Sequence, residues 1–173
     1  MNKFFKKEKG FSLVEIIIYL GIFSFISIFT INSLIISMSA FNATHTNHIL
    51  LESGLSSIDR ISREIRQANS IDIGSSYLGS SPGVLQLNTK DSSGISTTIK
   101  ITKEGSVLNL YSPANTLIAP LLDSDVAIDS LIFTRIDTTA GEAVRVEMTL
   151  RDTKSKTIKT ENFYNTIILR GSY

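Results

Sequence analysis

Cysteine is absent from this chain. Its absence excludes a disulfide framework, thiol catalysis and any cysteine metal site, and it leaves the redox compartment open. Histidine is nearly absent: only His45 and His48 occur. They stand three residues apart on one predicted helix face. A metal usually takes three or four ligands, so a solvated polar collar is the plainer reading. No Ser–His–Asp arrangement, phosphate-cradling glycine loop or catalytic carboxylate pair can be argued from spacing. Neither an internal repeat nor a low-complexity tail stands out. The chain is therefore not expected to be an enzyme or to carry a cofactor. At 173 residues it has the size of one ordinary domain.

Lysine and arginine are missing between Lys9 and Arg60, and proline is missing between Phe11 and Ala68. The first gap holds GFSLVEIIIYLGIFSFISIFTINSLIISM, Gly10–Met38, whose single charged residue is Glu15. About 20 apolar residues at 1.5 Å rise cover a ~30 Å hydrocarbon core, so this run is long enough to cross a bilayer. Lys3, Lys6, Lys7 and Lys9 precede it, opposed only by Glu8. That asymmetry predicts a cytoplasmic N-terminus and an outward body. Three readings compete. A secretory signal cut after Ala40 needs an apolar region of roughly 7–15 residues, much shorter than this one. A plain single-pass anchor explains the lysines and the length. It does not explain Glu15, since a central carboxylate costs ~2.5–3.5 kcal/mol on insertion scales, although less near the boundary.

The third reading accounts for every feature. KGFSLVE, Lys9–Glu15, resembles the cleavage and methylation site of the type IV pilin superfamily, which includes the pseudopilins of type II secretion. The resemblance implies that a prepilin peptidase cuts between Gly10 and Phe11 and methylates the new amine of Phe11. Glu15 then stands fifth in the mature chain. Glycine before the cut leaves the backbone free to enter an active site in extended form. The lysines hold the leader on the peptidase's side. The resemblance further implies that the Glu15 carboxylate meets the amine of a neighbouring subunit, so that it marks register during assembly. Both charges are better neutralised together than alone. The partners implied are the peptidase/methyltransferase, other pilins or pseudopilins, an inner-membrane assembly platform and membrane lipid. The location implied is the bacterial cytoplasmic (inner) membrane, then a pilus or pseudopilus. Residues 1–10 carry four lysines and one glutamate, so their removal leaves 13 basic and 15 acidic side chains. That balance argues against nucleic-acid binding by general charge.

Beyond Met38 the helix is predicted to continue. Leu51, Leu55, Ile58, Ile61, Ile65 and Ala68 recur at spacings of three and four and read as one apolar stripe. Glu52, Asp59, Arg60, Arg63, Glu64 and Arg66 fill the other face. FNATHTNH, Phe41–His48, has modest helix propensity, and Ser53–Gly54 is a second soft spot. The 41–48 stretch is the place where the helix is expected to melt, if assembly melts it.

From Ile71 onward the period becomes two. Strands are expected at Val84–Asn88, Ile95–Thr102, Ser106–Tyr111, Ser130–Ile136, Ala143–Leu150 and Thr160–Leu169, with a loop over 72–83. Short links favour antiparallel meanders. The fold class expected is α+β and pilin-like: a long N-terminal helix, membrane-spanning in its first half, packed on an antiparallel β-sheet head. The divisions are 1–10 leader, 11–39 assembly helix, 40–70 amphipathic helix and 71–173 head. The order of elements is similar to the larger minor pilins and the J-type minor pseudopilins, which sit near a filament tip. The missing cysteine pair departs from many major pilins.

Three head features carry weaker signals. Asp123, Asp125 and Asp129 cluster as oxygen donors that suit Ca²⁺, but without EF-hand spacing, so a polar turn is preferred. Arg151, Lys154, Lys156 and Lys159 gather near a hairpin and could touch phosphates, yet few aromatics interleave. Asn42 begins an N-x-T sequon read as chance. The competing reading of the whole is a membrane-anchored binding module or adhesin that never joins a filament.

Overall fold

The computed structural model describes residues 10–91, 93–112, 116–138, 141–154 and 158–170. Lys3, Lys6, Lys7, Lys9 and Lys156 lie outside the described residues. The chain divides into two compact units, residues 1–44 and 45–173. Helix α1 spans Leu13–Gln67.

The first part of α1 has an 18-residue window of mean hydropathy 2.2, none of it buried. It is long and apolar enough to cross a membrane. Its polar groups are satisfied within the helix: Ser24, Ser27 and Thr30 donate to the carbonyls of Leu20, Phe23 and Ile26, each at 2.8 Å. Such back-bonding leaves a hydroxyl with no demand on lipid. The Phe41–His48 stretch is helical throughout, and Thr44 Oγ1 donates to the Ala40 carbonyl at 3.0 Å.

The remainder of α1 packs on the head through a face that hydrophobic periodicity misplaces. Leu51 and Leu55 are 47% and 62% exposed, whereas Leu50, Ser53, Gly54, Ser57, Ile61, Ser62 and Ile65 are buried. The predicted stripe is correct from Ile58 downward and rotated above it. The reason is the chemistry of the seam. Ser57 Oγ donates to the Leu121 carbonyl at 2.6 Å, Ser53 Oγ accepts from the Asp123 amide at 3.3 Å, and Asn165 Nδ2 donates to Ser62 Oγ at 3.0 Å. Small hydroxyl residues let backbones approach and then bond across. Glu64 also departs from expectation: it is buried, with Arg60 Nη2 at 2.8 Å.

Gly54, expected as a soft spot, is a contact point. A Cβ there would fall 2.2 Å from Cζ of Phe163, with two more ring atoms at 2.4 and 2.5 Å. Overfilling a packed site costs roughly 1–3 kcal/mol, and a β-branched residue regains little helix propensity. Gly54→Val is therefore expected to destabilise the head by about 2 kcal/mol in thermal or urea unfolding followed by circular dichroism. Trimming the ring with Phe163→Leu in the same chain should recover part of it. An unchanged midpoint for Gly54→Val would contradict this packing.

The strands form two antiparallel meanders rather than one sheet. β1 (Ser70–Ile71), β2 (Val84–Lys90), β3 (Ser96–Glu104), β4 (Val107–Ser112) and β5 (Thr116–Pro120) make the first, in sequence order. β6 (Val126–Thr138), β7 (Gly141–Asp152) and β8 (Thr160–Ile168) make the second. Alternate residues of β2 and β7 are buried, as a half-covered sheet requires. The core joins Ile61 and Ile65 of α1 to Leu85, Ile101, Phe133 and Val146 of the two sheets.

The predicted 72–83 loop explains why the sheets are separate. It contains a short 3₁₀ turn at Ile73–Ser75, then runs along β6. The Gly79 and Gly83 amides donate to the Phe133 and Leu131 carbonyls, both at 2.8 Å, and Ser81 Oγ accepts from the Leu131 amide at 3.3 Å. A Cβ on Gly83 would come within 2.9 Å of the Leu131 carbonyl oxygen, so only glycine fits this approach. Loop groups thus occupy the edge that another strand would need.

Candidate functional site

Gly10, Phe11 and Ser12 precede α1, and Glu15 lies in its first turn. Gly10 is exposed, and a Cβ added to it would meet nothing within 4 Å. The Gly10–Phe11 peptide therefore carries no packing duty among the described residues. The ring of Phe11 is 72% exposed and meets Tyr19 edge-on, with centroids 6.5 Å apart and planes at 75°.

Tyr19 OH donates to Glu15 Oε1 at 2.8 Å. Spacings of four place Phe11, Glu15 and Tyr19 on one side of the helix. The bond fixes one carboxylate oxygen and leaves the other without a partner among the described residues. A hydroxyl donated to a carboxylate makes a charge-assisted bond, which offsets part of the expense of that carboxylate at membrane depth. Sequence reading singled out Gly10, Phe11 and Glu15 but passed over Tyr19, although the four-residue interval was there to be read. The positive end of the helix macrodipole also favours a carboxylate in the first turn.

The head candidates do not assemble into a site. His48 Nε2 lies 3.9 Å from Glu52 Oε2, and both side chains are largely exposed. Asp129 accepts from Arg151 Nε at 3.0 Å, and Asp125 pairs with Lys154 Nζ at 2.7 Å. Asp125 and Asp129 thus turn to separate cations, and Asp123 bonds through its backbone amide and carbonyl. Among the described residues, no group of three or more His, Asp or Glu side chains is placed to hold a metal ion. The same contacts occupy the basic hairpin: Arg151 and Lys154 are ion-paired, and Lys159 Nζ donates to Asn47 Oδ1 at 2.8 Å.

Asp125 is tuned by these neighbours. The hydrogen bond from Lys154, then that from Ser124, holds its carboxyl below the usual aspartate range. A depressed native pKa adds stability above the unfolded value of about 3.9 and loses it as pH falls through the lower native value. The unfolding midpoint of the native chain should therefore drop more steeply below pH ~4 than that of Asp125→Asn, which starts lower and runs flatter. Parallel pH profiles for the two chains would refute the assignment.

An exposed glycine junction, a single first-turn carboxylate and a helix long and apolar enough to cross a membrane stand together at this end of the chain. A family model described as the prokaryotic N-terminal methylation motif matches residues 5–31. The match supports the type IV pilin and pseudopilin class, with processing by a prepilin peptidase and assembly with other pilins. Together with the apolar helix it supports inner-membrane anchoring. Proteins carrying this motif are structural subunits rather than enzymes. No curated protein and no solved structure matches the chain.

Proposed function

We propose that this chain is a minor pilin or pseudopilin, cut between Gly10 and Phe11, methylated on Phe11 and assembled through α1 into a type IV pilus or a type II secretion-like filament. The observation that carries the proposal is the methylation motif laid over an apolar helix whose one carboxylate is Glu15. Residues 1–10 act as leader, 11–39 as the assembly helix, 40–70 as its amphipathic continuation and 71–173 as the outward head. The lysine-rich leader orients the N-terminus to the cytoplasm.

In the membrane, Tyr19 satisfies one oxygen of Glu15. The other awaits the Phe11 amine of a neighbouring subunit, and their pairing sets the axial register. The order of elements and the absence of cysteine favour a minor subunit near the tip. The deciding experiment is quantitative mass spectrometry of sheared filaments and membranes from the native cell. A peptide beginning at methylated Phe11, at trace ratio to the most abundant pilin, is expected. A ratio near one would make this the major subunit. An intact Met1 terminus confined to membranes would replace the filament reading with that of an anchored binding module.

A further inference from the structure

Near the C-terminal end of α1 the head carries an open cleft of about 950 Å³. Arg63 and Arg66 reach it from α1, Lys90 from the end of β2 and Arg170 from just after β8, with Asp59 as the single acidic residue in its wall. Asp59 is taken by Arg63, at 3.0 Å. Arg66, Lys90 and Arg170 have no ion-pair partner among the described residues. For the two arginines this is unusual. Arg60, Arg135, Arg145 and Arg151 each hold a carboxylate. Arg66 and Arg170 are the only arginines among the described residues without one. The negative end of the helix macrodipole accounts for a cation in the last turn of α1. It does not account for the convergence of Lys90 and Arg170 from two other elements.

We propose that this cleft binds a short ligand bearing two or more phosphate groups. Each phosphate brings about −1.5 to −2 charges and three acceptor oxygens, which suits a wall of net charge near +3 better than single carboxylates do. The planar guanidinium fork matches phosphate oxygens bidentately. Thr166 adds an exposed hydroxyl at the same wall, while the Thr89 hydroxyl there already donates to the Gln67 carbonyl at 3.3 Å. The cleft volume falls within the range of small-molecule pockets, ~300–1,000 Å³. A long polyanion is disfavoured because the basic side chains nearest in character, Arg151 and Lys154, are already neutralised and offer no continuing track.

The site is built from the C-terminal end of α1 and the strands beside it, and it does not depend on whether the apolar first part of α1 joins a filament. Calorimetric titration of the full chain, in a non-ionic detergent at low ionic strength, with tripolyphosphate as the probe, tests it. One saturable site is expected, weakening as salt rises. Arg66→Gln/Arg170→Gln should weaken it about tenfold or more with the circular dichroism unchanged, and Lys90→Gln should weaken it less. Lys154→Gln, on the other side of the charge map, should leave it intact. Absence of saturation, or equal affinity in the double variant, overturns the proposal. So does equal affinity for hexaglutamate, which would indicate an acidic peptide. Equal affinity for a single-stranded oligonucleotide of matched charge also overturns it, by removing the preference for a short ligand.

Discussion

Replacing Gly10 with leucine is expected to reduce the species beginning at Phe11 to background, while the chain still folds and inserts. The two halves of this expectation have separate causes. A Cβ added to Gly10 would meet nothing within 4 Å among the described residues, so the fold gives the substitution no steric penalty at that atom. A peptidase that must grip the peptide in extended form does sense it, because a branched side chain occupies space that glycine leaves to the enzyme. Mass spectrometry of membranes would read the N-terminus, and circular dichroism of the purified chain would read the fold. Normal release of Phe11 from the leucine variant would remove Gly10 from the proposed cleavage site. Loss of both cleavage and fold would instead give Gly10 a structural role that its surroundings do not indicate.

Glu15→Leu is expected to leave cleavage intact and lower filament incorporation by about tenfold or more, since an uncompensated membrane charge is worth ~2.5–3.5 kcal/mol. The leucine helix is more comfortable in lipid, so a fall in incorporation cannot be blamed on poor insertion. What it loses is the partner for a neighbour's amine. Tyr19→Phe supplies the coupled test. With Glu15 present it removes the hydroxyl that steadies the carboxylate, and incorporation should drop several-fold. With Glu15→Leu already in place it should do nothing further, because contacting residues are non-additive. Equal effects of Tyr19→Phe in both backgrounds would mean that the ring acts by packing on Phe11 and that the hydroxyl is incidental.

The parts of the fold that were legible are those written in local periodicity. The six expected strands appear as β2, β3, β4, β6, β7 and β8, each carrying an alternation that survives on its own. β5 was missed because Thr116–Pro120 is a short run ending in proline, which discourages a strand reading. At the end of an edge strand that proline has no ladder bond to lose. β1 is only two residues long. The rotated face of α1 was missed for a different reason. A search for large apolar residues finds Leu51 and Leu55, but the head sits on Ser53, Gly54 and Ser57, whose value lies in being small and able to bond outward. The N-terminal site was legible because its residues are contiguous. The basic cleft was not, because residues 63, 66, 90 and 170 meet only after the sheets have closed.

The loop along β6 has a consequence for how closely such heads can be crowded. An uncovered strand edge is a template on which another chain can polymerise. β5 is five residues long and ends in Pro120, so it offers little to copy. On β6 the amides of Gly79 and Gly83 occupy two of the carbonyls that a foreign strand would seek, those of Phe133 and Leu131. Only β8 keeps a continuous free edge among the described strands, and Glu161 stands exposed near its start. The glycines of the 77–83 segment thus close part of one edge to pairing with a neighbouring head, and β8 is the edge they leave open.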